Sequence, residues 1–292
     1  MKNGLKLGAK LVERIMGGIF TLCGFAAVLF VAVITVFLFV SGIPAIGEIG
    51  LGDFLLCTVW SPTSANPQYG ILPFITASVM GTAGAIIIGV PIGLMCAVYI
   101  SKFAPKKLRG VLREAVSLLS GIPSVVYGLV GMIIIVPAVR TVFGLPDGAN
   151  LFSAIIVLSI MILPSVISVS ETAINAVPRE FEEGSLALGA TKTETVFKIS
   201  VPAAKSGILA SVVLGIGRAI GEAMAVMMVS GNVANMPKLF GSVRFLTTAV
   251  ASEMSYSSGL QRKALFSIAL VLFIFILIIN FVLNFVIKRK KD

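Results

Sequence analysis

The sequence predicts an all-α bundle that crosses a membrane six times, and three observations support this. Apolar residues fill 57% of the 292 positions and charged residues 12%, with a mean hydropathy of +1.05. Six apolar runs match or exceed the ~20 residues a helix needs to span a bilayer. Alternating segments of about ten residues, the mark of transmembrane strands, are absent.

The first run, 17–40, follows a basic and mildly amphipathic stretch, 1–16, in which Leu5, Leu11, Val12 and Ile15 oppose Lys6, Lys10, Glu13 and Arg14. It resembles a signal peptide but is too long for a typical signal core and carries no convincing cleavage site. It is therefore expected to be an uncleaved membrane helix. The outer loop 41–70 is rich in turn formers and holds Trp60, expected to be an interfacial anchor. Runs 71–100, 112–139, 151–171, 203–230 and 264–287 complete the six helices. The expected division is a peripheral part, 1–70, a five-helix core, 71–287, and a basic tail, 288–292.

The net charge of +10 raises the question of nucleic acid, but its placement answers it. Lys and Arg at 2, 6, 10, 14, 102, 106, 107, 109, 113, 179, 192, 198, 205 and 288–291 all fall on one side of a six-helix chain. Both termini are thus expected in the cytoplasm, the basic residues set topology, and no nucleic-acid role is expected. Three cysteines without ligand-like spacing point to neither disulfides nor zinc, and the lack of histidine excludes imidazole chemistry.

The segment AVPREFEEGSLALGATKTETVFKISVP, 176–202, carries dense punctuation. Pro178 suits a first helical turn. Glu180, Glu182 and Glu183 follow at the positive end of that helix's dipole. Gly189 suits a left-handed stop. Thr191 and Glu194 form a capping box for a second helix reaching Ile199, and Pro202 opens the fifth membrane helix. Two short, rigid helices at a sharp angle fit a lever better than a solvated connector.

Arg218 and Glu222 stand in the apolar run 203–230, where a charge costs ~2.5–3.5 kcal/mol on insertion scales. A continuous helix puts them one turn apart on one face, with Ser211, Gly215, Gly221 and Ala225 beside them, directed into the bundle. One alternative is a structural ion pair, with Gly217 and Gly221 marking close helix packing. A buried pair is rarely a net gain in stability, which favours the other, an anion pathway read by a guanidinium. Glu222 then either restrains Arg218 so that substrate leaves or, protonated, donates to the anion. In SGIPSVVYG, Pro123 interrupts the third helix, and Ser124 and Tyr127 offer hydroxyls to a pathway. A packing kink is the competing reading there. Asn232 is expected in a helix-ending turn rather than a gate.

The 176–202 segment also resembles the coupling motif of binding-protein-dependent ABC importers: Glu183-Gly184-Ser185, Gly189, Ile199 and Val201-Pro202 keep the family spacing, with small-for-small and apolar-for-apolar changes. WSPTSANPQYGILPFI, SGIPSVVYG and GIGRAIGEAMAVMMVSGN resemble the phosphate-importer permeases of PstC type, over residues 55–285. The resemblance implies a MetI-like permease fold and a substrate path for phosphate. It implies ATPase coupling through Glu182, Glu183, Gly184, Gly189, Ala190 and Thr191. The partners it implies are a PstA-like second permease, a PstB-like ATPase dimer and an external phosphate-binding protein. No cofactor is expected. Gly184 and Gly189 have P-loop spacing, but Ala190 stands where lysine must follow, so the chain itself is expected neither to bind nor to hydrolyse ATP.

Overall fold

The computed structural model describes residues 2–289, with side chains over 13–282 and at 285. Five helices are long and apolar enough to cross a membrane: Glu13–Ile49, Leu72–Phe103, Ser124–Phe143, Leu151–Asn175 and Gly259–Val282. A sixth span forms when Lys192–Ala203 and Lys205–Gly221, bent 69° to each other, are taken together. The chain is therefore a multi-pass α-helical membrane protein, as its apolar runs predict.

Helix α1 (Lys2–Ile49) is longer than expected and takes in the start of the outer loop. Gly42 meets Leu270, and the Ser267 hydroxyl donates to the Gly42 carbonyl, so this extension is pinned to α14 (Gly259–Arg289). The side chains of the first twelve residues and the tail beyond Arg289 lie outside the described residues. Helix α2 (Leu51–Leu56) and a two-residue hairpin, β1 (Trp60–Ser61) with β2 (Gln68–Tyr69), complete the loop. Trp60 is not an interfacial anchor. It is 8% exposed, stands edge-on to Tyr69 and Phe74, and donates its indole N–H to Glu253 at 3.2 Å.

At the centre is α7 (Leu151–Asn175), gripped by α3 (Leu72–Val98) and α11 (Lys205–Gly221). Small residues allow the approach. A Cβ on Gly84, Gly89 or Gly93 would lie 2.6, 2.7 or 2.8 Å from Ile155, Ile162 or Val166. Ser170 and Ser211 share a 2.8 Å hydrogen bond across the other seam. Without a hydrophobic drive between helices in lipid, close backbone packing and such bonds supply the cohesion.

The third run is not a helix from Leu112. Proline disfavours the helical region for its predecessor, and Ile122 is extended at φ −69°, ψ 126°. Amphipathic α4 (Lys106–Gly121), none of whose residues is buried, ends there, and α5 (Ser124–Val130) starts anew. A π turn, Gly131–Ile135, then leads into α6 (Val136–Phe143). Pro123 is thus the N-cap of a new helix rather than a mid-helix kink. Gly128 brings α5 onto α12 (Met224–Val229), where a Cβ would sit 2.7 Å from the Ala225 Cα. Because that neighbour is backbone, Gly128→Val should overpack the seam at a cost of about 1–3 kcal/mol. A lowered melting temperature of the purified protein would register it.

Candidate functional site

The predicted fifth span breaks at its charged stretch. α11 ends at Gly221, Glu222 is extended at φ −74°, ψ 129°, and α12 starts at Met224. The Thr247 hydroxyl takes over the Glu222 carbonyl at 2.7 Å, and the Glu222 carboxylate accepts the Ala225 N–H at 2.9 Å, across the start of α12. Thr247 belongs to α13 (Leu246–Glu253), a short buried helix held to α3 by Leu246 N–H donating to Ser78 at 3.0 Å. Glu222 therefore does not stand one turn above Arg218 on a common face. No salt bridge joins the two among the described residues.

Arg218 lies in the last turn of α11, where its charge complements the helix dipole. It is half-buried, its guanidinium 3.4 Å from the Ser165 hydroxyl near the middle of α7. It borders an open cleft of about 490 Å³ with Ser165, Leu214, Gly217 and Asn280. The small face expected beside it divides. Ser211 and Gly215 are buried against α7, whereas Gly217 and Gly221 are exposed and a Cβ on either would meet nothing within 4 Å. Arg218 thus sits at the edge of the bundle rather than inside it, and among the described residues no helix packs on the GxxxG face.

Ser124 is half-buried at the first turn of α5. The Tyr127 hydroxyl donates to the Leu119 carbonyl at 2.7 Å, bridging the Pro123 break to the end of α4. Asn232 follows the end of α12 in the left-handed region, at φ +52° next to Gly231 at φ +79°.

The 176–202 hairpin takes the helix starts and the left-handed stop that its punctuation predicts. Pro178 is the N-cap of α8 (Arg179–Ala187). Gly189 adopts φ +88°, and the N–H groups of Gly189 and Ala190 donate to the Leu186 and Ser185 carbonyls at 2.9 and 3.2 Å. The Thr191–Glu194 capping box opens α9 (Lys192–Thr195). A π turn, Val196–Ser200, and α10 (Val201–Ala203) follow, so the membrane helix starts at Lys205 rather than at Pro202. Glu183, Gly184, Gly189 and Thr191 are exposed and Ala190 is half-buried. Phe181, Leu186 and Leu188 add an uncovered apolar surface, Leu188 being 91% exposed.

Glu182 differs from its neighbours. It is half-buried, paired with Lys102 at the end of α3 and bonded by the Ser200 hydroxyl at 2.9 Å. Burial pushes its carboxyl up, but the hydrogen bonds from Lys102 and Ser200 and the charges of Lys102 and Arg179 outweigh that and hold it below the ordinary 4.5. Glu182 thus bolts the hairpin to the bundle. Beside it, the Arg113 Nε donates to Glu171 at 2.6 Å, and Ser101 donates to Asn175 at 2.7 Å. At the other end of the bundle, Glu253 gathers Trp60, Arg244 and Gln261. Sequence reading missed these networks because each joins residues far apart in the chain.

Residues 89–291, more than half of the chain, match the family model for the binding-protein-dependent transport system inner membrane component. The chain belongs to this family. The permease is 38% identical over 272 residues to the "Probable ABC transporter permease protein YqgH" of Bacillus subtilis, covering 90% of this chain and 88% of the relative. It is 35% identical over 243 residues to the phosphate transport system permease protein PstC of Haemophilus influenzae, with 76% of each chain covered. The fold is similar to that of the MetNI methionine ABC transporter in an inward-facing conformation, with TM-score 0.59 and 19% identity over 75% of this chain and 96% of the other. It is thus a PstC-like ABC permease with the MetI-like fold, a membrane subunit of an importer and not a catalytic one.

Proposed function

We propose that this permease conducts inorganic phosphate in an ATP-driven importer. The observation that carries the reading is Arg218, a half-buried guanidinium at mid-span that faces an open cleft and has no carboxylate within 4.0 Å among the described residues. A guanidinium so placed offers paired donors to an oxyanion. The Glu222 carboxylate, occupied by the Ala225 N–H, leaves that charge uncompensated. The phosphate transport names of the PstC relatives support the choice of substrate.

Residues 71–287 act as the transport core and 1–70 as its periphery, with both termini in the cytoplasm, as the distribution of Lys and Arg favours. A PstA-like permease covers the Gly217–Gly221 face and closes the pathway, with Ser124 and Tyr127 nearby. A PstB-like ATPase dimer docks on the exposed hairpin residues Glu183, Gly184, Gly189 and Thr191 and the half-buried Ala190, while Glu182 transmits its motion to α3. An external phosphate-binding protein delivers the ion at the outer loops. Hydrolysis belongs to the ATPase subunit.

Vesicles containing the complete complex should accumulate radiolabelled phosphate when supplied with ATP and no ion gradient. Unlabelled phosphate should compete and sulfate should not. Uptake driven by an ion gradient alone would instead identify a secondary transporter, and equal competition by sulfate would remove phosphate as the specific substrate.

A further inference from the structure

A second concentration of positive charge lies away from Arg218, where the hairpin meets the α3–α4 junction. A cavity of about 430 Å³ opens there, in the ~300–1,000 Å³ range of small-molecule sites. Lys102, Arg109, Arg179 and Lys192 line it against two carboxylates, Glu182 and Glu183. Glu182 is already committed to Lys102. Arg109, Arg179 and Lys192 have no carboxylate within 4.0 Å among the described residues. Lys192 rests over the Phe103 ring at 5.4 Å, which orients it without neutralising it. The Arg109 Nε is buried and has no hydrogen-bond partner, and its Nη2 reaches only the Ala104 carbonyl, at 3.4 Å.

The four cations of the cavity outnumber its two carboxylates and repel each other, and a buried guanidinium N–H without an acceptor adds a desolvation cost. Neither is explained by packing, since the hairpin is already fixed by the Lys102–Glu182–Ser200 contacts. A multiply charged anion with several oxygens would relieve both. It would take paired bonds from the two guanidinium groups and one from the ammonium.

We infer that this cavity binds a phosphoryl group, which clamps the hairpin (α8 and α9) to the α3–α4 junction. Free inorganic phosphate and the headgroup of an anionic lipid share this chemistry. Both have access, because the cavity opens at the hairpin end of the Leu72–Phe103 span, where Ser101 and Lys102 line it. The inference does not depend on the import reading, and its test keeps the two apart.

The membrane-embedded complex carrying Arg218→Gln, which removes the proposed transport site, is placed in phosphatidylcholine nanodiscs without the external phosphate-binding protein and titrated with radiolabelled inorganic phosphate. One saturable site per permease is expected. Arg109→Gln with Arg179→Gln should weaken it about tenfold or more, and Lys192→Gln several-fold. Glu183→Gln, by removing a repelling charge, should strengthen it, and Lys198→Gln, exposed on the same hairpin, should leave it unchanged. In a second arm, discs doped with phosphatidylglycerol are examined by native mass spectrometry. A retained lipid lost in the Arg109/Arg179 variant, with no free phosphate bound, assigns the phosphoryl group to the membrane. Assembly of each variant is checked by size exclusion, and the opposed effects of Lys192→Gln and Glu183→Gln keep the test decisive if the double variant fails to assemble. Binding of neither probe, or binding indifferent to these residues, overturns the inference.

Discussion

Arg218→Gln is expected to abolish phosphate uptake while the complex still assembles. The guanidinium faces the cleft beside the middle of α7 with no carboxylate partner among the described residues, so its loss breaks no salt bridge among them. Only the weak 3.4 Å contact to Ser165 disappears. On the proposed pathway, however, the substrate loses charge-assisted bonds worth about 1.5–3 kcal/mol each. Two such bonds correspond to a fall of roughly two to four decades in transport. Arg218→Lys keeps the charge but not the planar fork, and an intermediate rate is expected. Radiolabelled uptake into vesicles, normalised to assembled complex, measures both. Undiminished uptake by the glutamine variant would remove Arg218 from the pathway.

Glu182→Ala is expected to uncouple the permease from ATP hydrolysis. Its pair with Lys102 is neither fully exposed nor sealed, at 24% and 14% side-chain exposure. Its loss should therefore cost between the ~0.2–1 kcal/mol of exposed pairs and the ~3–5 kcal/mol of buried ones. The Ser200 bond is lost too, so α8 is released from both α3 and the start of the bent fifth span. Hydrolysis by the assembled complex should continue while uptake falls. Replacing both Lys102 and Glu182 by apolar residues of similar size should restore uptake in part, since no charge is then left unpaired. Because the folded Glu182 pKa lies below 4.5, its contribution is fully present above that value and is lost as pH falls through the folded pKa. Coupling through this contact should thus be insensitive to pH across the neutral range and weaken only in strong acid. Coupled transport by Glu182→Ala at the parent rate would exclude the bolt.

Local signals were legible in the sequence and remote ones were not. The left-handed Gly189 and the Thr191–Glu194 capping box form as read, because helix ends are satisfied by residues a few positions away. The continuous helix through Glu222 does not form, because the hydroxyl that takes its carbonyl belongs to Thr247. Trp60 carries the same lesson: its composition suggests the membrane interface, yet Glu253 draws its N–H into the outer core. Nothing in the short α13 segment marks it as a buried helix, since it shows no long apolar run.

By itself, then, the sequence determined that the chain spans a membrane, which stretches are apolar enough to do so, which side the charges favour and that a capped hairpin interrupts them. Hydrocarbon forces each backbone group to find a partner within its own helix, so local composition suffices. The tertiary structure decided that Arg218 stands apart from Glu222, that Glu182 pairs with Lys102 and Ser200, and that four cations line one cavity. Those outcomes depend on which distant side chain reaches a polar atom first, and that is fixed only when the helices pack.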